Sequence, residues 1–278
     1  MLNIENKNFK ITINEVGALL RSFYDKNRKK ECLWGGDRNI WPHQDVVIFP
    51  IIGPGTTNMQ SVKREINQHG FPRYSTYTGK QISKVEAEFS LKYNEETLKL
   101  YPYKFELVVN YKVYGNSLLY KFIVINHGDK KMPFMLGSHP GFLIGEGATL
   151  EIPNDEFYPL KNGLVVNEIT SRPLGNKFLI KKDIFKKYET VVLDNSKGNQ
   201  KYILHTGAPD NYVYIYKLNS PLVAVWSNAN GGDYICVEPW RGETNYVNMP
   251  VDFEKRNFVQ WCNKKRVFSY SISFNKSK

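Results

Sequence analysis

The sequence predicts an all-β fold built from antiparallel strands, a large sandwich or barrel. Three observations carry this. Short stretches with a period of two recur about every ten residues, with Gly, Asn, Asp and Pro between them. Aromatic residues make up 14% of the chain, and they favour pleated, half-buried surfaces. Finally, the best helical segment, KDIFKKYE at 182–189, is only about two turns long.

Taken in order, FKITI (9–13) alternates, and after the turn-forming Asn14 and Gly17 the chain continues as ALLRSFY. The clearest stretch is FELVVNYKVYGNSLLYKFIVIN at 105–126. Phe105, Leu107, Val109, Tyr111 and Val113 fall on one face, and Leu118, Tyr120, Phe122 and Val124 continue the pattern after a turn at Gly115-Asn116-Ser117. That is a hairpin. Further strands are expected at AEFSLKY (87–93), TLKLYPY (97–103), GATLEI (147–152), TVVLD (190–194), QKYILHT (200–206) and YVYIYKL (212–218). LVAVWSN (222–228), YICVEPW (234–240) and the closing FSYSISF (268–274) complete the set. No linker, composition shift or internal repeat divides the 278 residues, so a single domain over 1–278 is expected.

Composition narrows the function classes. The formal charge is +11, but the basic residues lie in short groups such as Arg28-Lys29-Lys30 and Lys264-Lys265-Arg266, and no nucleic-acid-binding signature accompanies them. A solvated basic surface is the simplest reading, and the excess also suits an anionic small substrate. Cys32, Cys236 and Cys262 are odd in number and far apart, which fits a reducing compartment and offers no CxxC metal spacing. The N-terminus lacks an apolar leader and no run reaches the length of a membrane span, so a soluble, cytoplasmic protein without membrane or nucleic-acid partners is expected.

Four stretches carry residues suited to chemistry. QHGFPR (68–73) sets His69 and Arg73 around Gly70 and Pro72; MPFMLGSHPGF (132–142) brings His139 to the end of an apolar strand; CVEPWRG (236–242) sets Glu238 before Pro239, expected to end the ladder, and Trp240 after it; YETVVLD (188–194) offers Glu189 and Asp194. Each has an ordinary reading as a loop, surface or core residue. Together they place a base, an acid, a cation and an aromatic face at strand–loop junctions, where function concentrates. Such a set suits proton shuttling on a polyhydroxylated substrate. A carboxylate takes a proton while an imidazolium gives one, and an indole packs on the C–H face of a sugar ring. GxSxG, P-loop and GxGxxG fingerprints are absent, and the five histidines show no HxH or HExxH spacing, so neither cofactor nor metal is expected.

In this order, GALLRSFYD, FPIIG (49–53), QHGFPR, MPFMLGSHPGF, CVEPWRG and the aromatic-rich final strand resemble the aldose 1-epimerase (galactose mutarotase-like) superfamily, in its LacX-like branch. The resemblance implies a β-supersandwich and a cofactor-independent isomerase that interconverts the anomers of a hexose or hexose phosphate. It implies that Glu238 is the general base and His139 the general acid, that His69 faces the substrate, and that Arg73 holds a phosphate where one is present. The family's sugar-binding acid corresponds to Glu189, with Asp194 as the rival. Family members carry an arginine after the FPIxG stretch, whereas here Pro54 follows Gly53, which leaves Lys63 or Arg64 as replacement cations. The same fold also accommodates a non-catalytic carbohydrate-binding protein, and a polyanion-binding protein is supported by net charge alone.

Overall fold

The computed structural model describes residues 1–153, 156–165, 170–171, 175–196, 200–207 and 212–275. Two nine-stranded sheets dominate, and every ladder between described strands is antiparallel. The long sheet is ordered Lys177–Leu179, Thr149–Glu151, Gln200–His205, Tyr212–Leu218, Lys265–Asn275, Ser117–Asn126, Phe105–Tyr114, Glu86–Lys92 and Thr78–Ser83. The site sheet runs from Leu164–Val165 through Glu156–Lys161, Val191–Asp194, Leu222–Trp226, Tyr234–Arg241 and Leu136–Ser138 to Val47–Ile48. Gly141–Leu143 also pairs with Tyr234–Arg241, and Thr170–Ser171 with Glu156–Lys161. A four-stranded sheet formed by Leu2–Glu5, Phe9–Ile13, Leu20–Asp25 and Lys30–Glu31, and two small ribbons, complete the architecture.

The expected hairpin is the spine of the long sheet. Phe105 pairs with Asn126 and Tyr114 with Ser117, so the turn itself is Gly115-Asn116. Leu118, Tyr120, Phe122 and Val124 are buried while Leu119, Lys121, Ile123 and Ile125 are half-buried. Burying four such side chains contributes roughly 6–12 kcal/mol against the extended chain, an upper estimate. A one-residue slip would forfeit it, which is why the register is fixed. Residues of both large sheets, among them Tyr111, Tyr120, Ile215, Val223 and Val237, join one buried cluster.

Two local readings change. TLKLYPY is not a strand: Glu95–Leu100 is a short helix, because Asn94 accepts the Thr97 N–H at 2.8 Å while the Thr97 hydroxyl accepts the Asn94 N–H at 2.8 Å. This reciprocal cap, with Glu95 and Glu96 in the first turn, outweighs a weak alternation. Pro239 does not end its strand either; Tyr234–Arg241 continues through it, with Pro239 opposite Val223. On its other side the ladder is interrupted between the Gly137–Trp240 and Gly141–Cys236 pairs, and such an interruption suits a residue without an N–H. The segment expected to be helical is helical over Lys182–Tyr188. No described helix is long and apolar enough to cross a membrane.

Candidate active site

The interruption in that ladder is where the site forms. The register is the same on both sides of it, so His139 falls directly opposite Glu238. The side chains meet, His139 Nε2 lying 3.2 Å from Glu238 Oε1, and both are almost fully buried. The Trp240 indole N–H, two residues along the same face, donates to the other carboxylate oxygen at 3.2 Å. Glu238 is therefore addressed on both oxygens and has little freedom to rotate.

His139 is fixed from behind. Its backbone N–H donates to Asp45 Oδ1 at 3.1 Å, and the same oxygen accepts the Val46 N–H at 2.7 Å. Asp45 Oδ2 accepts the Tyr120 hydroxyl at 3.1 Å. Tyr120 stacks on Tyr270 with centroids 4.7 Å apart, and the Tyr270 hydroxyl is 2.7 Å from Ser138 Oγ. A buried network thus runs from the long sheet to the residues that carry the imidazole. The ring itself lies 4.9 Å from Trp41 and 5.5 Å from Trp226, so it is walled by indoles.

The third wall comes from the loop after Ile66. His69 and Gly70 both take left-handed backbone, with φ of 64° and 80°. A Cβ at position 70 would sit 1.8 Å from the Phe49 carbonyl oxygen, so only glycine fits there. The loop is held to FPIIG by Phe49 N–H to His69 O at 3.2 Å and His69 N–H to Gly53 O at 3.1 Å. This brings the His69 ring to 5.6 Å from His139. The Gly53 N–H approaches His69 Nδ1 at 3.5 Å, which assigns Nδ1 as the acceptor and leaves Nε2–H as the donor.

These walls enclose a cavity of about 220 Å³. Its lining holds Glu238, His139, His69, Arg73 and Trp240, five of the seven residues singled out in the four stretches, together with Trp41, Val46, Gly53, Gln68, Leu160, Thr190, Trp226 and Thr244. Arg73 lies at its edge, with its guanidinium 5.0 Å from the Tyr74 ring and reaching the Gln68 carbonyl at 3.5 Å.

Glu189 and Asp194 are not in the lining. The Glu189 carboxylate accepts the Asn162 and Gly163 N–H groups at 2.7 and 2.9 Å, closing the turn there, and the lining residue is its neighbour Thr190. Asp194 is likewise used locally, by the Ser196 N–H at 2.7 Å. The proposed replacement cations lie elsewhere too: Arg64 donates to the Lys99 carbonyl, and Lys63 is exposed on the hairpin Gly55–Met59/Val62–Ile66. Among the described lining residues Arg73 is the only lysine or arginine. Sequence reasoning passed over Trp41, Trp226 and Asp45. Trp226 lies in the expected strand LVAVWSN and Trp41 in no marked motif; Asp45, one carboxylate before the apolar run VVIFP, was the detectable signal.

Burial and the charge of Arg73 set the electrostatics of the cavity. Burial, reinforced by Arg73, pushes His69 down to about 3, and burial with Arg73 and Arg21 pushes His43 down to about 4. Burial lowers His139 well below the usual imidazole value, helped by His69 and Arg73. It raises Glu238 well above the usual carboxylate value, against the Trp240 hydrogen bond. Desolvation thus opposes the ion pair that the 3.2 Å contact would allow. Burial favours the neutral form of each partner over the charged one. Burial also pushes Asp45 up to about 6 despite its three hydrogen bonds.

Comparison with known proteins agrees with this architecture. The chain is 28% identical over 266 residues to the chromosomal and plasmid LacX proteins of Lactococcus lactis subsp. lactis, with 87% of this chain and 88% of each relative covered. A galactose mutarotase related enzyme from Lactobacillus acidophilus superposes with a TM-score of 0.94 at 27% identity, covering 100% of this chain and 98% of the other. A galactose mutarotase-like protein from Lactobacillus casei gives 0.92 at 25%, covering 99% and 100%. The fold is accordingly the galactose mutarotase-like β-sandwich. The family model for aldose 1-epimerase matches residues 1–267, and the chain belongs to that family.

Proposed function

We propose that the protein interconverts the α and β anomers of an aldose, a hexose or hexose phosphate, by general acid–base catalysis on Glu238 and His139 without a cofactor. The observation that carries this reading is the 3.2 Å approach of His139 Nε2 to Glu238 Oε1 at the floor of a buried cavity. A polar sugar in that cavity favours the charge-separated form of the pair, in which the carboxyl proton has crossed to the imidazole. Glu238 then takes the proton of the anomeric hydroxyl, the C1–O1 bond becomes a carbonyl, and the ring C1–O5 bond breaks as His139 delivers its proton to O5. Rotation about C1–C2 and closure with the roles reversed give the other anomer. Protons and electrons balance within the pair.

The surrounding residues have defined parts in this reading. The Nε2–H of His69 donates to a ring substituent, Trp240 holds the Glu238 carboxylate by its indole N–H and packs its face on the sugar, and Arg73 meets a phosphate at the edge. The test is polarimetry of freshly dissolved α-anomers, with the spontaneous rate subtracted.

A second reading is a carbohydrate-binding protein without turnover. It is favoured by the lack of a carboxylate other than Glu238 in the described lining, because Glu189 is used by its own turn. Binding of a sugar without acceleration of its mutarotation would establish it.

A further inference from the structure

We propose that His139, Cys236 and Glu238 form a site for one thiophilic divalent cation, zinc or a metal of similar preference. Neither sequence spacing nor the acid–base reading suggests this, because His139 and Cys236 lie 97 positions apart in the chain. The sheet supplies the proximity. Cys236 and Glu238 are two apart on one strand and so share a face. His139 lies opposite Glu238, and Gly141 lies opposite Cys236. The absence of a side chain at Gly141 matters, since a Cβ there would stand 2.7 Å from the Trp41 ring and 3.5 Å from Cys236 Sγ. One ring nitrogen, one thiol sulfur and one carboxylate oxygen consequently lie within 4.8 Å of one another, in a cluster where all three residues are buried.

A tetrahedral zinc holds sulfur at about 2.3 Å and nitrogen or oxygen at about 2.0–2.2 Å, which sets its ligand atoms about 3.5 Å apart. His139 and Glu238 already stand 3.2 Å apart, so closing the cluster needs about 1 Å of movement from the sulfur, within reach of rotation of the Cys236 side chain. His139 Nδ1 is buried without a hydrogen-bond partner, so that ring nitrogen has coordination capacity free of competing protein groups, while Nε2 already faces Glu238, a fellow ligand. Cys236 carries a free, buried thiol. A thiolate and a carboxylate neutralise a divalent charge, as a dry site requires, and the Asp45 carboxylate adds negative potential at both Cys236 and Glu238. Three protein ligands leave a fourth position for water on the cavity side. Binding releases the thiol proton and the carboxyl proton, and it removes both ends of the acid–base couple.

The test uses cobalt(II) alone as the probe, on the purified full chain, and needs no enzymatic assay. The wild type is expected to bind one cobalt per chain with a thiolate-to-metal charge-transfer band in the near ultraviolet. Cys236→Ser is expected to lose that band and to bind at least about 100-fold more weakly, although Cys32 and Cys262 remain. Glu238→Gln and His139→Asn should keep a sulfur band but weaken binding by about 10-fold or more, which tests the site even if Cys236→Ser does not fold. No band in the wild type, a band retained in Cys236→Ser, or titrations unchanged in both ligand variants would overturn the proposal.

Discussion

His139 and Glu238 face each other across a gap in an otherwise continuous ladder, Nε2 to Oε1 at 3.2 Å. The gap gives both side chains a cavity to work into, while the paired glycines on either side, Gly137 and Gly141, hold the register that makes them meet. Proton exchange between two groups so placed needs a bound ring, not a moving backbone.

Burial acts in opposite directions on the two partners, lowering the imidazole and raising the carboxyl. The neutral imidazole therefore extends below pH 6.5 on the acid side. We expect kcat/KM for anomer interconversion to show no inflection at the ordinary histidine value, with the acid limb falling lower. A half-maximal rate near pH 6.5 would show that His139 titrates as an exposed imidazole.

Asp45 is predicted to be a stability determinant. Asp45→Ala would strand the Val46 and His139 N–H groups and the Tyr120 hydroxyl in a dry core. At about 1–3 kcal/mol for each unsatisfied group, the loss is roughly 3 kcal/mol or more. Urea denaturation checks this, and Asp45→Asn, which keeps an acceptor towards the backbone, should recover much of it.

His69 links stability to acid. Its value in the folded state, about 3, is depressed from 6.5. Its contribution is therefore fully present above pH 6.5 and is lost as pH falls from there towards 3, reaching about 4–5 kcal/mol at the full span. His69→Asn, which tolerates the left-handed backbone, should flatten the fall in denaturation midpoint across this window. An unchanged slope would place the acid sensitivity in other groups.

Arg73 should report the anionic group. If a phosphate reaches the cavity edge, a hexose 6-phosphate binds more tightly than the parent hexose, and Arg73→Gln or added salt reduces the difference. Equal affinities in isothermal titration would return the +11 charge to surface solvation.

Much of this was legible in the chain because the sheet period and the site motifs are local. The hairpin at 105–126 and the strand around Glu238 are written in alternation, His69 stands beside Gly70, whose left-handed backbone fixes its turn, and His139 directly follows a short apolar strand. What escaped is non-local or capped. TLKLYPY alternates, yet Asn94 and Thr97 close a helix over it. Glu189 lies in the right segment, but its backbone leaves the helix at φ 55° and the carboxylate turns to Asn162 and Gly163. Asp45 meets His139 only through a fold that joins residues 94 apart.

Turnover by the His139–Glu238 pair separates an enzyme from a sugar-binding protein. The most direct measurement follows α-to-β interconversion of common aldoses and their 6-phosphates in wild type and Glu238→Gln, alongside binding of the same sugars. The wild-type rate should lie well above the spontaneous one and fall about 10²–10⁴-fold in Glu238→Gln, with binding largely retained. A wild type that binds one of these sugars and leaves its spontaneous rate unchanged would contradict turnover by the pair.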